Sequence, residues 1–240
     1  MTNCIEIRGL VKQYKSFTLG PIDLKVPGGS IMGLIGENGA GKTTLIKSML
    51  GITRPTAGAV KLLGTNPDRA KEDIGIVLDD CFFSEYLRVR DVETVLCRVF
   101  KSWDKGLYRD YLDKFGLSGA KNIKELSRGM RMKLSLAAAL AHRPRLLLLD
   151  EATAGLDPVV REEILDEFLA FVSDEDHAIL ISSHITSDLE KVADYIAYLH
   201  QGKLLLCDEK DRLLESYGRL VCAREELEQV DRGYLEKERK

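Results

Sequence analysis

Residues Gly36-Glu37-Asn38-Gly39-Ala40-Gly41-Lys42-Thr43 set glycines, a lysine and a hydroxyl in the spacing GxxxxGK[ST], with Thr44 directly behind. Such a run suits phosphate. Glycine permits backbone conformations in which successive N–H groups converge on one anion. Lys42 supplies a flexible positive charge for terminal phosphate oxygens, and the Thr43 hydroxyl is a natural Mg²⁺ ligand. Helical periodicity starts at Lys42 and carries Leu45, Ile46, Met49 and Leu50 as far as Gly51. The positive end of a helix therefore points at the same place. The apolar stretch Ser30-Ile31-Met32-Gly33-Leu34-Ile35 reads as a strand running into the loop, which is the context this pattern requires.

Phosphate chemistry also needs acids to hold a metal and to activate water. The run Leu146-Leu147-Leu148-Leu149 ends in Asp150 and is followed by Glu151. Four leucines suit a strand covered on both faces. Asp150, at its end, is placed to hold Mg²⁺ directly or through water. Glu151 leaves the strand in another direction and can polarise water, work that needs reach more than an unusual pKa. An apolar run ending in Asp-Glu is commonplace by itself and gains meaning from the glycine loop in the same chain.

Other elements must hold these two segments together. Ile5 and Ile7, then Ile22, Leu24 and Val26, alternate with polar residues and predict half-buried strands on either side of residue 14. Further strands are predicted at 59–63, 74–78 and 178–182, with a hairpin over 195–207 turning at Gln201-Gly202. Between residues 79 and 135 the pattern turns helical. Leu96, Val99, Phe100, Leu107, Tyr111 and Leu112 are its expected inner positions, and a long helix is predicted from Arg128 to Ala141. Amphipathic helices follow at 160–172, 187–192 and 210–217.

The 240 residues, 45% of them hydrophobic and 30% charged, are enough for a packed core under a wet surface. A net charge of -3 gives no basic footprint for nucleic acid. No stretch has the length of apolar residues that crosses a bilayer, so any membrane role is expected to be peripheral. Cys4, Cys81, Cys97, Cys207 and Cys222 form no CxxC pair and are expected as reduced thiols. No internal repeat is visible, which excludes two fused copies of one domain.

With these motifs in order, the chain resembles the ATP-binding subunits of ABC transporters. Leu126-Ser127-Arg128-Gly129-Met130 stands where that family carries its LSGGQ-like signature. Ala154-Gly155-Leu156-Asp157 resembles the D-loop, His184 the switch histidine, and Tyr14 the aromatic residue that stacks on adenine. Phe17 lies close enough to be an alternative ring. The resemblance runs from about residue 3 to residue 217 and is closest in pattern to bacterial ABC-2-type exporter ATPases.

It implies an α/β P-loop core with an N-terminal antiparallel β subdomain and an inserted helical subdomain. The implied boundaries are 1–79 and 136–220 for the core, 80–135 for the helical part and 221–240 for a charged extension. ATP and Mg²⁺ are the implied ligands. The implied partners are a second, head-to-tail ATPase subunit, either this chain or a homologue, and a separate transmembrane permease at whose cytoplasmic face the protein would sit. Each ATP would lie between Lys42 of one subunit and Ser127 and the Gly129 backbone of the other. Glu151, His184 and Lys42 carry the implied catalytic roles; Thr43 and Asp150 carry the metal. His142, His177 and His200 match no ligand cluster and read as structural.

Two departures stand out. Arg128 replaces a usual glycine and Met130 a usual glutamine in the signature. Asp79 occupies the position of the Q-loop glutamine, which touches Mg²⁺ or the lytic water and contacts the permease. Asp79 is therefore a third candidate metal and catalytic residue, expected to converge with Asp150 and Glu151. Phe82, Phe83, Tyr86 and Leu87 follow it, divided between lobe core and a groove for a permease helix. Two other readings stand beside the transporter: a soluble ABC ATPase acting elsewhere, and a nucleotide-sensing regulatory subunit with weak turnover.

After Gly218 the chain becomes strongly charged, with Leu227, Val230, Tyr234 and Leu235 as few apolar anchors. That spacing predicts a short helix lying on the domain, not an independent domain. A chain lacking residues 224–240 is expected to keep most of the full chain's ATP binding. Titration of both with a fluorescent ATP analogue checks this, and loss of soluble folded protein would show the tail to be part of the core.

Overall fold

The computed structural model describes residues 2–79 and 81–217; the tail helix expected within 224–240 lies outside the described residues. The first half of the chain forms β1 (Asn3–Gln13), β2 (Thr18–Pro27), β3 (Ser30–Ile35), α1 (Lys42–Met49), β4 (Ala57–Leu62), α2 (Pro67–Ala70), β5 (Ile74–Val77), α3 (Val89–Leu96) and α4 (Lys105–Lys114). The second half forms α5 (Arg128–Leu140), β6 (Leu146–Asp150), α6 (Pro158–Phe171), β7 (Ala178–Ser183), α7 (Thr186–Val192), β8 (Tyr195–His200), β9 (Lys203–Glu209) and α8 (Lys210–Ser216).

Two sheets carry these elements. β2, β1 and β4 make an antiparallel sheet in that order, and a larger sheet runs β5-β6-β7-β3-β8-β9. All pairs in the larger sheet are parallel except β8 with β9, which close as a hairpin. This is the expected α/β P-loop fold with an N-terminal antiparallel sheet and a helical part.

The central strands are buried on both faces, so they read as continuous apolar runs rather than alternating ones. Their period of two still appears in what each residue touches. Leu147 and Leu149 of β6, Ile179 and Ile181 of β7, and Ile31 of β3 join the core under the helical part. Leu146, Leu148, Ala178, Leu180, Met32 and Leu34 point the other way, toward the antiparallel sheet and α1. One sheet thus organises two cores, and its C-terminal edge is left to carry chemistry.

The helical part departs from expectation in one stretch. α3 ends with Cys97 as its C-cap, and helix resumes only at Lys105. Residues between them fold back on themselves, leaving Val99 61% exposed. Leu112 is buried as expected, and Val89, Val92, Tyr108 and Phe115 supply the other buried positions. Tyr108 also donates its hydroxyl to the Val89 carbonyl at 2.8 Å, so the α3–α4 contact is polar at its centre. α5 is continuous across the boundary expected at residue 135. Among the described residues, no helix is long and apolar enough to cross a membrane, and Cys4, Cys81, Cys97 and Cys207 are free thiols.

The break after α3 has a partner in sequence-distant His142. Phe100 stacks on its ring with centroids 4.0 Å apart and planes within 6°. Nδ1 of His142 donates to the Glu72 carbonyl at 3.0 Å. Burial pushes the His142 pKa below the ordinary 6.5, with the Glu72 carbonyl opposing. The ring is therefore neutral in the fold and takes a proton more readily once unfolded. Stability should fall as pH drops below 6.5 toward the depressed folded value, with a slope of up to about 1.4 kcal/mol per pH unit. Urea unfolding at pH 7.5 and 5.5 checks this: the stability difference between the two pH values should shrink in His142→Gln.

Candidate nucleotide site

The larger sheet delivers the site residues at the ends of β3, β6 and β7. β3 runs out at Ile35 directly into the glycine loop. Gly36 passes so near the Leu199 carbonyl that a Cβ would stand 2.3 Å from its oxygen, and only glycine fits there. Gly41 caps α1 at φ 111°, a conformation that favours glycine. The loop is braced internally by Ala40 N–H to the Glu37 carbonyl at 3.0 Å, and from outside by Gly202 N–H to the Ala40 carbonyl at 2.9 Å. The β8–β9 turn thus supports the phosphate loop, a role its Gln201-Gly202 signal alone did not predict. Asn38 and Gly39 are exposed at the loop's rim, Ala40 is buried beneath it, and Thr43 and Thr44 open the helix.

Lys42 is buried, and its ammonium donates to the Gly36 carbonyl at 2.7 Å. Its charge is met by Glu151 Oε1 at 3.3 Å. Glu151 Oε2 in turn lies 2.6 Å from Nδ1 of His184. Three of the expected catalytic side chains therefore form one chain of contacts. The Glu151 backbone has φ 53°, left-handed for a non-glycine residue. It is held there by two bonds from its N–H, to the Ser182 carbonyl at 3.1 Å and to Ser182 Oγ at 3.2 Å. The strained turn re-aims the carboxylate away from the line of β6, which agrees with the sequence argument that it faces differently from Asp150.

Asp150 is only 4% exposed, so its carboxylate requires partners. Thr43 Oγ1 donates to Oδ2 at 2.7 Å and Ser182 Oγ donates to Oδ1 at 2.5 Å. Ser182 therefore orients both acidic residues and was missed as a functional residue. The signal available was weak: a hydroxyl at the end of an apolar strand, beside a second serine. The pair Thr43 and Asp150 offers hard oxygens that suit Mg²⁺. Among the described residues no cluster of three His, Cys, Asp or Glu side chains makes a closed metal cage.

Asp79, expected to converge with Asp150 and Glu151, has a carboxylate that accepts from Arg128 Nη2 at 2.6 Å. The sequence placed both residues in functional loops but did not pair them. Ser127 and Gly129 open α5, where Ser127 is the N-cap and accepts from the Met130 N–H at 3.3 Å.

The family pattern can now be compared directly. The profile described as ABC transporter matches residues 19–154. The bacitracin transport ATP-binding protein BcrA of Enterococcus faecalis is 39% identical over 216 residues, covering 85% of this chain and 69% of its own. The chain belongs to the ABC transporter family. The lantibiotic transport ATP-binding protein SrtF of Streptococcus pyogenes is 35% identical over 214 residues, covering 86% of this chain and 91% of its own. A solved ATP-binding subunit of an ABC transporter superposes with a TM-score of 0.80 at 24% identity, over 88% of this chain and 92% of that one. As an ABC-transporter ATP-binding subunit, the chain binds and hydrolyses ATP.

The two candidate adenine-stacking rings sit in different surroundings. Phe17 is half-buried, packs against the core of the antiparallel sheet, and would be 3.0 Å from a Cβ on Gly41. Tyr14 is 44% exposed. Lys12 Nζ lies 5.2 Å from the centre of its ring. Exposure suits Tyr14 to a base, and packing suits Phe17 to supporting the loop. Tyr14→Ala should weaken ATP binding about tenfold, within the range of a lost base-stacking contact, without lowering the melting temperature. Phe17→Ala should lower the melting temperature. ATP titration and thermal unfolding of both variants separate the two roles.

Proposed function

We propose that two such subunits hydrolyse Mg-ATP across a head-to-tail interface and so drive export through a separate membrane permease, in the manner of ABC-2-type exporter ATPases. The observation that carries the hydrolytic part is the Lys42–Glu151–His184 chain of contacts. A triphosphate entering the glycine loop competes with Glu151 for the Lys42 ammonium. Gly36, Asn38, Gly39, Ala40 and Gly41 supply the loop backbone around it, and Thr44 lies at its inner edge. The released Glu151 carboxylate can then accept a proton from the attacking water, while His184, beside it, meets the γ-phosphate. Thr43 and Asp150 would hold Mg²⁺, whose charge offsets that developing on the phosphate oxygens. Asp79 is left out of this metal set because its carboxylate faces Arg128.

Ser127 and Gly129 of the second subunit close the site. They stand at the N-terminus of α5, where N–H groups and the helix dipole favour an anion. The transport reading has two supports. BcrA and SrtF are named for the transport of bacitracin and of a lantibiotic. Beside Asp79, Phe82 and Tyr86 are 68% and 88% exposed, whereas Phe83 and Leu87 pack against the core. Two exposed aromatic side chains on a loop fit a docking surface for a permease helix.

The chemical assignment is tested by Glu151→Gln, which keeps size and polarity but cannot accept the proton. ATP should bind within about threefold of the parent, turnover should fall by about a hundredfold or more, and ATP should now drive stable dimer formation. Lys42→Ala should instead weaken ATP binding itself. Steady-state ATPase assays with size-exclusion chromatography read both; parental turnover in Glu151→Gln would end the general-base assignment.

A further inference from the structure

Arg128 and Asp79 are both departures from the family pattern, and they meet. Beyond the 2.6 Å bond between them, the Arg128 guanidinium covers Gly155: a Cβ there would stand 3.1 Å from Nη1 and 3.2 Å from Cζ. One side chain, rooted in the first residue of α5, thus touches the segment after β5 and the turn that follows Glu151. The next residue reinforces the contact, since a Cβ on Gly129 would lie 3.2 Å from Val160 Cγ1 in the first turn of α6. Further along the same two helices Lys133 pairs with Glu163.

Stability does not explain Arg128. Both members of the pair are half-exposed, and such ion pairs contribute little to folding. A cation in the first turn also opposes the helix dipole. What the side chain does fix is register. Ser127 and Gly129 on one side and residues 154–157 on the other are separate segments of one chain, and Arg128 bridges them.

We propose that Arg128 is a positioning residue which, held by Asp79, locks the start of α5 to the turn at residues 154–157, so that both meet the other subunit's nucleotide as one preformed surface. The inference rests on the head-to-tail reading above. Ordering two surfaces before association removes a cost that would otherwise be met during docking. The effect should therefore appear in the closing of the ATP dimer and not in the binding of ATP to a single chain.

The test uses Glu151→Gln as parent and measures, by analytical ultracentrifugation, the ATP concentration giving half-maximal dimer. Adding Arg128→Gln or Asp79→Asn should each raise that concentration about fivefold, and the two together should do no more than the larger single effect, as expected for partners in one contact. Arg128→Lys should recover part of the loss. ATP binding by the dilute monomer and the melting temperature should be unchanged by Arg128→Gln. Additive effects, or a loss in Arg128→Gln with none in Asp79→Asn, would overturn the bridge. So would a loss that follows the melting temperature. A parent that stays monomeric in saturating ATP defeats the head-to-tail reading and this inference together; a parent that dimerises with the same midpoint in every variant defeats the inference alone.

Discussion

The site depends on a carboxylate that has been taken out of water. Asp150 is almost fully buried at the end of β6, and such a group is tolerated only when its oxygens are met by donors. Thr43 from the first turn of α1 meets one oxygen and Ser182 from β7 meets the other. That requirement pulls three chain segments to one point. Because Ser182 also receives the Glu151 N–H through its hydroxyl and its carbonyl, the same serine that satisfies the buried acid sets the turn of the next one. The placement of Glu151 beside Lys42 follows from meeting the needs of Asp150.

The sheet makes this arrangement rigid. Alternate residues of β3, β6 and β7 bury in opposite directions, into the core beneath the helical part and the core beneath the antiparallel sheet. A strand packed on both faces cannot roll or slide without disturbing both cores. Its C-terminal residues therefore hold their positions to within what side-chain packing allows, and the loops that leave them inherit that precision. The helical part has its own buried centre in Tyr108 and Val92, but it shares a continuous apolar cluster with β6 and β7. It is joined to the sheet, and through Gly129 and Lys133 its long helix is tied to α6 as well.

What could be read from the residues followed the strength of local signals. β3 and β6 were legible because doubly covered strands leave short, unbroken apolar runs, and α1 because a glycine loop and a lysine announce its start. The interruption between α3 and α4 was not legible: Leu96, Val99 and Phe100 continue a helical rhythm, yet Phe100 is drawn aside to stack on His142. A long-range contact outweighs propensity there. The phosphate-loop and acidic candidates were named by type and spacing, whereas Ser182 and the Asp79–Arg128 pair were not, because their meaning lies in partners distant in sequence. Asp79 shows the limit most clearly. Its position suggested a metal ligand, and its nearest charge turned out to be a guanidinium from the helix opposite.

One further consequence concerns the order in which the chain is made. The loop that cradles phosphate is complete by residue 43, but its supports come later: β3 pairs with β7 and β8, and the Ala40 carbonyl is held by Gly202. A ribosome that has released only the first half of the chain has released the sequence of the loop without its scaffold. Nucleotide can add its binding energy to folding only once the β8–β9 turn has emerged and docked, because a ligand stabilises the state that has the site. Contacts of such long sequence separation form late and slowly. ATP is thus a ligand of a chain that already has its β8–β9 turn, and its capture follows the early steps of folding rather than guiding them.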